Sequence, residues 1–268
     1  MSQPPIAVLL PVDTRAGAGG RERVAAQREH ASFALSVAAR RCGAKLGPLR
    51  HDSLGAPLPS NGWHRSLSHA RGLAAAALHG APLGIDVERP RALRADRVDA
   101  VLSRRELEVL GPLDELSFAR AWTAKEAVLK KAAVGLLELA SCVLVGREGQ
   151  GLLLLEHRGR VHEVWQRVVH GHLVALTFDG GPPAAPPQWL LLDPPGSRAV
   201  ERAHPAKADA SRGARDAAEI DPSTIHLDPH PPGPAGTARA GSAPASITIA
   251  DAERWPGSLA RRAQAGQL

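Results

Sequence analysis

A break in composition near Gly180 sets what this chain can fold into. Of its 23 prolines, 14 lie beyond that point, starting with Gly181-Pro182-Pro183-Ala184-Ala185-Pro186-Pro187. An Ala/Arg/Asp/Gly/Pro mixture without a repeating apolar face follows. Such a segment buries too little apolar surface to offset the entropy of ordering it. The expected organisation is therefore a folded domain over 1–180 and a mostly disordered low-complexity tail over 181–268. Within the tail, 188–192 and 250–263 are the two segments apolar enough to order.

The first 180 residues hold mixed patterns. Ile6 to Val12 reads as a strand, and Arg21 to Leu46 has helical composition with Val24, Phe33, Leu35 and Val37 as apolar anchors. A Gly- and Pro-rich loop covers 47–62. Leu73 to Leu78 and Leu83 to Val87 read as two strands, and His79-Gly80-Ala81-Pro82 between them predicts a hairpin. Ser103 to Leu110 predicts a short helix, because Ser103 with Glu106 three residues on forms a capping-box pattern. Leu116 to Val134 is the clearest helix. Strands are predicted at 143–145, 152–156, 161–169 and 173–178, separated by Gly-rich turns. Helices and antiparallel strands in this order predict an α+β fold.

Composition narrows the class further. Aromatic residues are 3% and tyrosine is absent, so the core must rest on Leu, Val and Ala. Two cysteines exclude a disulfide scaffold and a Cys-based zinc cluster. No apolar run reaches the roughly 18–20 residues of a membrane span. The run Ile6 to Leu10 meets Pro11 at once and lacks a basic leader, so a secretory signal is not expected and a cytoplasmic protein is. Beyond residue 180 there are 9 basic and 9 acidic residues, so the net charge of +6 belongs to the first 180. That balance suits an anionic partner. Lysine is scarce, yet Lys125, Lys130 and Lys131 crowd into seven positions.

Three segments carry chemistry. In Gly84-Ile85-Asp86-Val87-Glu88, alternation on a strand turns Ile85 and Val87 to the core and puts Asp86 and Glu88 together on the other face. Two such carboxylates suit Mg²⁺, whose ligands are hard oxygens; the plainer alternative is an edge strand with solvated acids. In Trp122-Thr123-Ala124-Lys125-Glu126-Ala127-Val128-Leu129-Lys130, helical spacing aligns Phe118, Trp122, Lys125 and Leu129. A lysine in such a stripe needs a partner or a cleft for its amine. Glu126 and Lys130 stand one turn apart, as a surface ion pair also would. In Ser66-Leu67-Ser68-His69, the histidine is either structural or a phosphate ligand through a ring N–H.

Together these segments resemble the 4′-phosphopantetheinyl transferase superfamily, whose signature is Ser-His, then Gly-(Ile/Val)-Asp-x-Glu, then Trp-x-x-Lys-Glu-(Ala/Ser)-x-x-Lys about forty residues later. The matches are Ser68-His69, Gly84 to Glu88, and Trp122 with Lys125-Glu126-Ala127 and Lys130. Gly55-Ala56-Pro57, Ser103-x-x-Glu106-Leu107 and Gly135-Leu136 are lesser matches, and the likeness spans about residues 50–178. Gly55-Ala56-Pro57 lacks the basic residue of the family's Gly-(Lys/Arg)-Pro. The Ser-Leu-Ser-His context looks most like the broad-specificity members that activate siderophore and polyketide synthetases.

The resemblance implies a pseudo-dimer of two α+β halves, about 1–80 and 81–180, with coenzyme A in the cleft between them. It implies a holo-[acyl-carrier-protein] synthase type of reaction: Mg-dependent transfer of 4′-phosphopantetheine from coenzyme A to a serine of an acyl or peptidyl carrier protein, releasing adenosine 3′,5′-bisphosphate. Mn²⁺ is an alternative metal. Asp86, Glu88 and Glu126 would bind the metal, with Glu126 either ligand or general base. Lys125 would contact the phosphate and Lys130 would serve the leaving group. His69 would grip the 3′-phosphate, and Arg28, Arg40 and Arg41 are candidates for other coenzyme A phosphates. The expected partners are coenzyme A and a carrier protein, with no nucleic acid, no membrane and a monomeric state. Two alternatives compete: a basic nucleic-acid-binding module, disfavoured by scattered arginines and scarce aromatics, and a family member that binds carrier protein without catalysis.

Overall fold

The most apolar stretch near the start of the chain, Ile6-Ala7-Val8-Leu9-Leu10, is buried on both faces, as a central strand must be. It forms β1 (Ile6–Pro11) in a computed structural model that describes residues 3–12, 20–180, 186–193 and 202–204. The helix α1 (Gly20–Cys42) follows, then β2 (His64–Ala70), β3 (Leu73–His79) and β4 (Leu83–Glu88). Three helices come next: α2 (Ala95–Val101), α3 (Arg104–Leu110) and α4 (Glu115–Ala132). A 3-10 helix at Gly135–Ser141 leads into β5 (Val143–Glu148), β6 (Leu152–His157), β7 (Arg160–Val169) and β8 (His172–Phe178). Two short strands, β9 (Gln188–Leu191) and β10 (Arg202–His204), complete the described elements.

The strands form two five-stranded sheets, ordered β10-β9-β1-β3-β2 and β4-β8-β7-β6-β5. The fold is α+β, as the sequence predicts, in four layers of helix, sheet, sheet and helix. On the outer face of the first sheet, Ala34, Leu35 and Ala38 of α1 pack with Val8, Leu10, Ala76 and Leu78. Between the sheets, Ala7, Leu9, Ala75 and Ala77 meet Ile85, Val87, Val174 and Leu176. On the far face of the second sheet, α4 packs Ala124, Val128 and Leu129 with Leu144, Leu153, Leu155 and Ala175. With few aromatics, alanines at these contacts let the layers approach closely.

Two expectations are corrected. The segments 73–78 and 83–87 are strands but not a hairpin. Both edges of β3 are taken, by β1 and β2, so β4 crosses to the second sheet and pairs with β8. The hairpin partner of β3 is β2, through a turn in which Gly72 takes φ +99°. The polar sequence of β2 hides it from an apolar pattern, as a strand at a sheet edge can. Second, β9 and β10 lie past the boundary drawn at Gly180. Trp189 and Leu190 are buried where β9 runs parallel to β1. The segment 188–192 had the apolar residues to order; the surrounding prolines obscured its membership of the sheet. The segment 250–263 and most of the expected tail lie outside the described residues. Among the described residues, no helix is long and apolar enough to cross a membrane.

Candidate active site

Strand alternation turns Ile85 and Val87 into the inter-sheet core and leaves Gly84 and Asp86 facing α4. That helix is fixed at its start by a capping box between Asp114 and Ser117 and stops at Ala133, whose φ is 56°. Its last two turns carry Glu126 and Lys130 over β4.

Lys130 is the hub, with a side chain only 11% exposed. Its Nζ lies 2.5 Å from Asp86 Oδ1, 3.1 Å from Ser68 Oγ and 3.9 Å from Glu126 Oε2. The Ser68 hydroxyl donates to the same Asp86 Oδ1 at 2.9 Å. Asp86 Oδ2 is buried and has no hydrogen-bond partner. Glu88, at the end of β4, is half-buried and bonded by the Trp122 side chain.

The electrostatics follow from this crowding. Burial, then the Asp86 charge, then Glu88, push the Glu126 carboxyl up to about 8 against the pull of Lys130. Burial and Asp86 likewise push Glu88 up to about 7. Burial works against the Lys130 ammonium, but Asp86 and Glu126 outweigh it and hold its pKa above the ordinary lysine value. His69 sits half-buried beside this cluster. Burial, Lys130 and Arg28 all lower its pKa, so it is a neutral imidazole at neutral pH and offers one N–H.

The remaining expected site residues divide. Arg28, exposed on α1, is brought near His69, since its field reaches that ring. Arg40 and Arg41 lie in the last turn of α1, roughly 18 Å further along the helix at 1.5 Å per residue. Lys125 is placed elsewhere. Its side chain is 1% exposed, and its Nζ lies 2.7 Å from Glu106 Oε1 and 2.7 Å from the Val101 carbonyl oxygen. Glu106 also accepts from the Ser103 and Leu144 amides, so the pair ties α3, α4 and β5 together. The structure places the Lys125 amine, expected at a phosphate, in a core ion pair, the partner that a buried lysine requires.

Two serines contribute that no apolar pattern marks. Ser66 and Ser68 accept hydrogen bonds from the Ile85 and Val87 amides, at 3.1 and 3.3 Å. They thereby join β2, at the edge of one sheet, to β4, at the edge of the other. The signal was the Ser-x-Ser alternation, which puts both hydroxyls on one face of a strand. Helical spacing puts Trp122 in an apolar stripe, and the structure adds a polar contact from its side chain to Glu88.

No group of three or more His, Cys, Asp or Glu side chains among the described residues stands as a ready metal cage, since Lys130 sits between Asp86 and Glu126. The donor chemistry nevertheless fits a hard divalent cation. Asp86 Oδ2 is buried and unpartnered, and Asp86 raises the pKa of both neighbouring glutamates, a repulsion that a cation among them would relieve. Beside Glu88 opens a groove lined among others by Arg89, Arg91, Arg97, Phe118 and Trp122.

Residues 82–178 match the family model of the 4′-phosphopantetheinyl transferase superfamily. The matched segment holds β4, α4 and the whole second sheet, and is similar there to 4′-phosphopantetheinyl transferases. A search of curated proteins gives no significant match.

Proposed function

We propose that this chain transfers 4′-phosphopantetheine from coenzyme A to a serine of an acyl or peptidyl carrier protein in a reaction that requires Mg²⁺ or Mn²⁺. The observation that carries the reading is the convergence of Asp86, Glu126 and Lys130 under Ser68, with His69 and Arg28 alongside.

In this reaction the serine oxygen bonds to the phosphorus that bears the pantetheine arm. The bond from that phosphorus to the bridging oxygen of the pyrophosphate breaks, and adenosine 3′,5′-bisphosphate leaves. Asp86, Glu88 and Glu126 would hold the divalent ion, which when bound supplies charge neutralisation at the pyrophosphate. Glu126, in its ionised form, would take the serine proton. Lys130 remains an ammonium and faces the oxygen that gains charge as the bond breaks. His69 donates its single N–H to the 3′-phosphate and Arg28 adds positive charge there. The two α+β units, each a sheet covered by one long helix, support a pseudo-dimer with coenzyme A at the join.

The arginine-lined groove beside Glu88 supports docking of an acidic carrier surface. The Ser-Leu-Ser-His context of β2 supports a broad-specificity member serving siderophore or polyketide synthetases. Two free cysteines, one buried and one half-buried, suit a reducing cytoplasm.

Adenosine 3′,5′-bisphosphate measured by chromatography tests this reading. It should appear one-for-one with consumption of apo-carrier and stop in excess chelator. Undiminished release in chelator would overturn the metal requirement, and release without carrier modification would overturn the acceptor.

A further inference from the structure

Ser68 is surrounded by partners that leave its hydroxyl a single orientation. A hydroxyl has one proton to give and two lone pairs to receive. Lys130 Nζ at 3.1 Å and the Val87 amide at 3.3 Å are both donors, and they fill the lone pairs. Asp86 Oδ1, at 2.9 Å, is the one acceptor in reach among the described residues, so the proton points there. The hydroxyl itself is held in place because β2 and β4 are each anchored in their own sheets.

The terminal torsion of an aspartate is broad and nearly two-fold, so a carboxylate held by one ammonium exchanges its two oxygens readily. A second, directional bond to Oδ1 removes that freedom. Lys130 and Ser68 together saturate Oδ1 and leave Oδ2 buried and unpartnered.

We propose that Ser68 is a positioning residue that fixes the Asp86 carboxylate with Oδ2 turned toward the divalent cation, and so sets the affinity of the metal site. This rests on the reading of Asp86 as a metal ligand. Ser66 provides an internal control. It is as deeply buried and also accepts a β4 amide, from Ile85 at 3.1 Å, but it reaches no carboxylate. A merely structural role as a clasp between sheets would make the two serines equivalent.

The test is a Mn²⁺ titration of the full chain, with free Mn²⁺ read by electron paramagnetic resonance, without coenzyme A or carrier. Asp86→Ala locates the site. Ser68→Ala should weaken Mn²⁺ binding about tenfold or more, the usual effect of removing a hydrogen bond to a metal ligand. Ser66→Ala should stay within about twofold of the unmodified protein, although both variants lose a comparable backbone bond. Ser68→Thr, which keeps the hydroxyl, should retain most of the affinity. If Ser68→Ala fails to fold, Ser68→Cys replaces it and must show a loss, since a thiol is a weak donor. Mn²⁺ bound at Asp86 with equal affinity in the Ser68→Ala and Ser66→Ala proteins would overturn the proposal while leaving the metal reading intact. Failure of the unmodified protein to bind Mn²⁺, or full binding by Asp86→Ala, would overturn the metal reading and the proposal with it.

Discussion

Gly84 lies so close under α4 that a Cβ at this position would stand 2.0 Å from the Ala127 carbonyl oxygen and 2.7 Å from the Lys131 amide nitrogen. Both obstructing atoms are backbone, so no side-chain movement can make room. The glycine of the Gly-Ile-Asp-Val-Glu segment thus allows the helix that carries Glu126 and Lys130 to rest directly on the strand that carries Asp86.

Gly84→Ala is expected to be more severe than ordinary overpacking. Extra methyl groups in a core typically cost about 1–3 kcal/mol, and here the helix itself must lift. A loss of about 3 kcal/mol or more in urea unfolding is expected, with transfer activity lost in the protein that still folds. Near-normal stability and activity would show that α4 can shift without disturbing the site.

Lys125→Ala should act on stability, not on coenzyme A. It leaves Glu106 buried without its cation, which typically costs about 3–5 kcal/mol. Replacing both partners, as in a Lys125→Met, Glu106→Leu double variant, should recover part of that loss. The Michaelis constant for coenzyme A in the folded fraction should hardly change. A stable Lys125→Ala protein with a greatly raised Michaelis constant would restore the phosphate contact.

The raised carboxyls make a prediction about pH in metal-free protein. An unfolded glutamate releases its proton near 4.5, whereas Glu88 holds its proton to about 7 and Glu126 to about 8. The folded state therefore binds more protons in this interval, and stability falls as pH rises through it. Below 6.5, His64, His69, His79 and His162 oppose the trend, because burial lowers their pKa values and unfolding would charge them. Between 6.5 and 8 the unfolded imidazoles lose their remaining charge, a contribution that the unmodified protein and Glu126→Gln share. Over that window in chelator, the denaturation midpoint of the unmodified protein should drop more steeply than that of Glu126→Gln. Parallel slopes would show that Glu126 is not held protonated.

Truncation separates the strand-forming part of the C-terminal region from the rest. Ending the chain at Gly180 removes β9, whose Trp189 and Leu190 are buried and whose backbone pairs with β1. Burying two such side chains contributes about 3 kcal/mol or more, so this version should unfold early or aggregate. Ending after His204 keeps every described strand and should preserve the melting temperature. Equal stability of the two would show that β9 contributes little.

Much of this was legible from the chain because local chemistry decided it. The apolar run of β1, the capping box of Ser103 and Glu106 and the ordered acidic and basic motifs each act within a few residues. Other features depended on distant partners. Whether β3 pairs with β4 turns on which edges β1 and β2 already occupy. Whether Lys125 meets a phosphate or Glu106 turns on how α3 docks against α4. Periodicity put Asp86 and Glu88 on one face, but only the approach of α4, allowed by Gly84, converts that face into an enclosed site with Lys130 in it.

Intact-mass spectrometry of a carrier protein tests group transfer at the Asp86–Glu126–Lys130 cluster most directly. Apo-carrier incubated with the unmodified protein, coenzyme A and Mg²⁺ should gain the mass of one phosphopantetheinyl group on serine. The same incubation with Asp86→Ala, folded as judged by circular dichroism, should leave the carrier unchanged. A range of apo-carriers that all remain unmodified, or a carrier modified equally by Asp86→Ala, would contradict it.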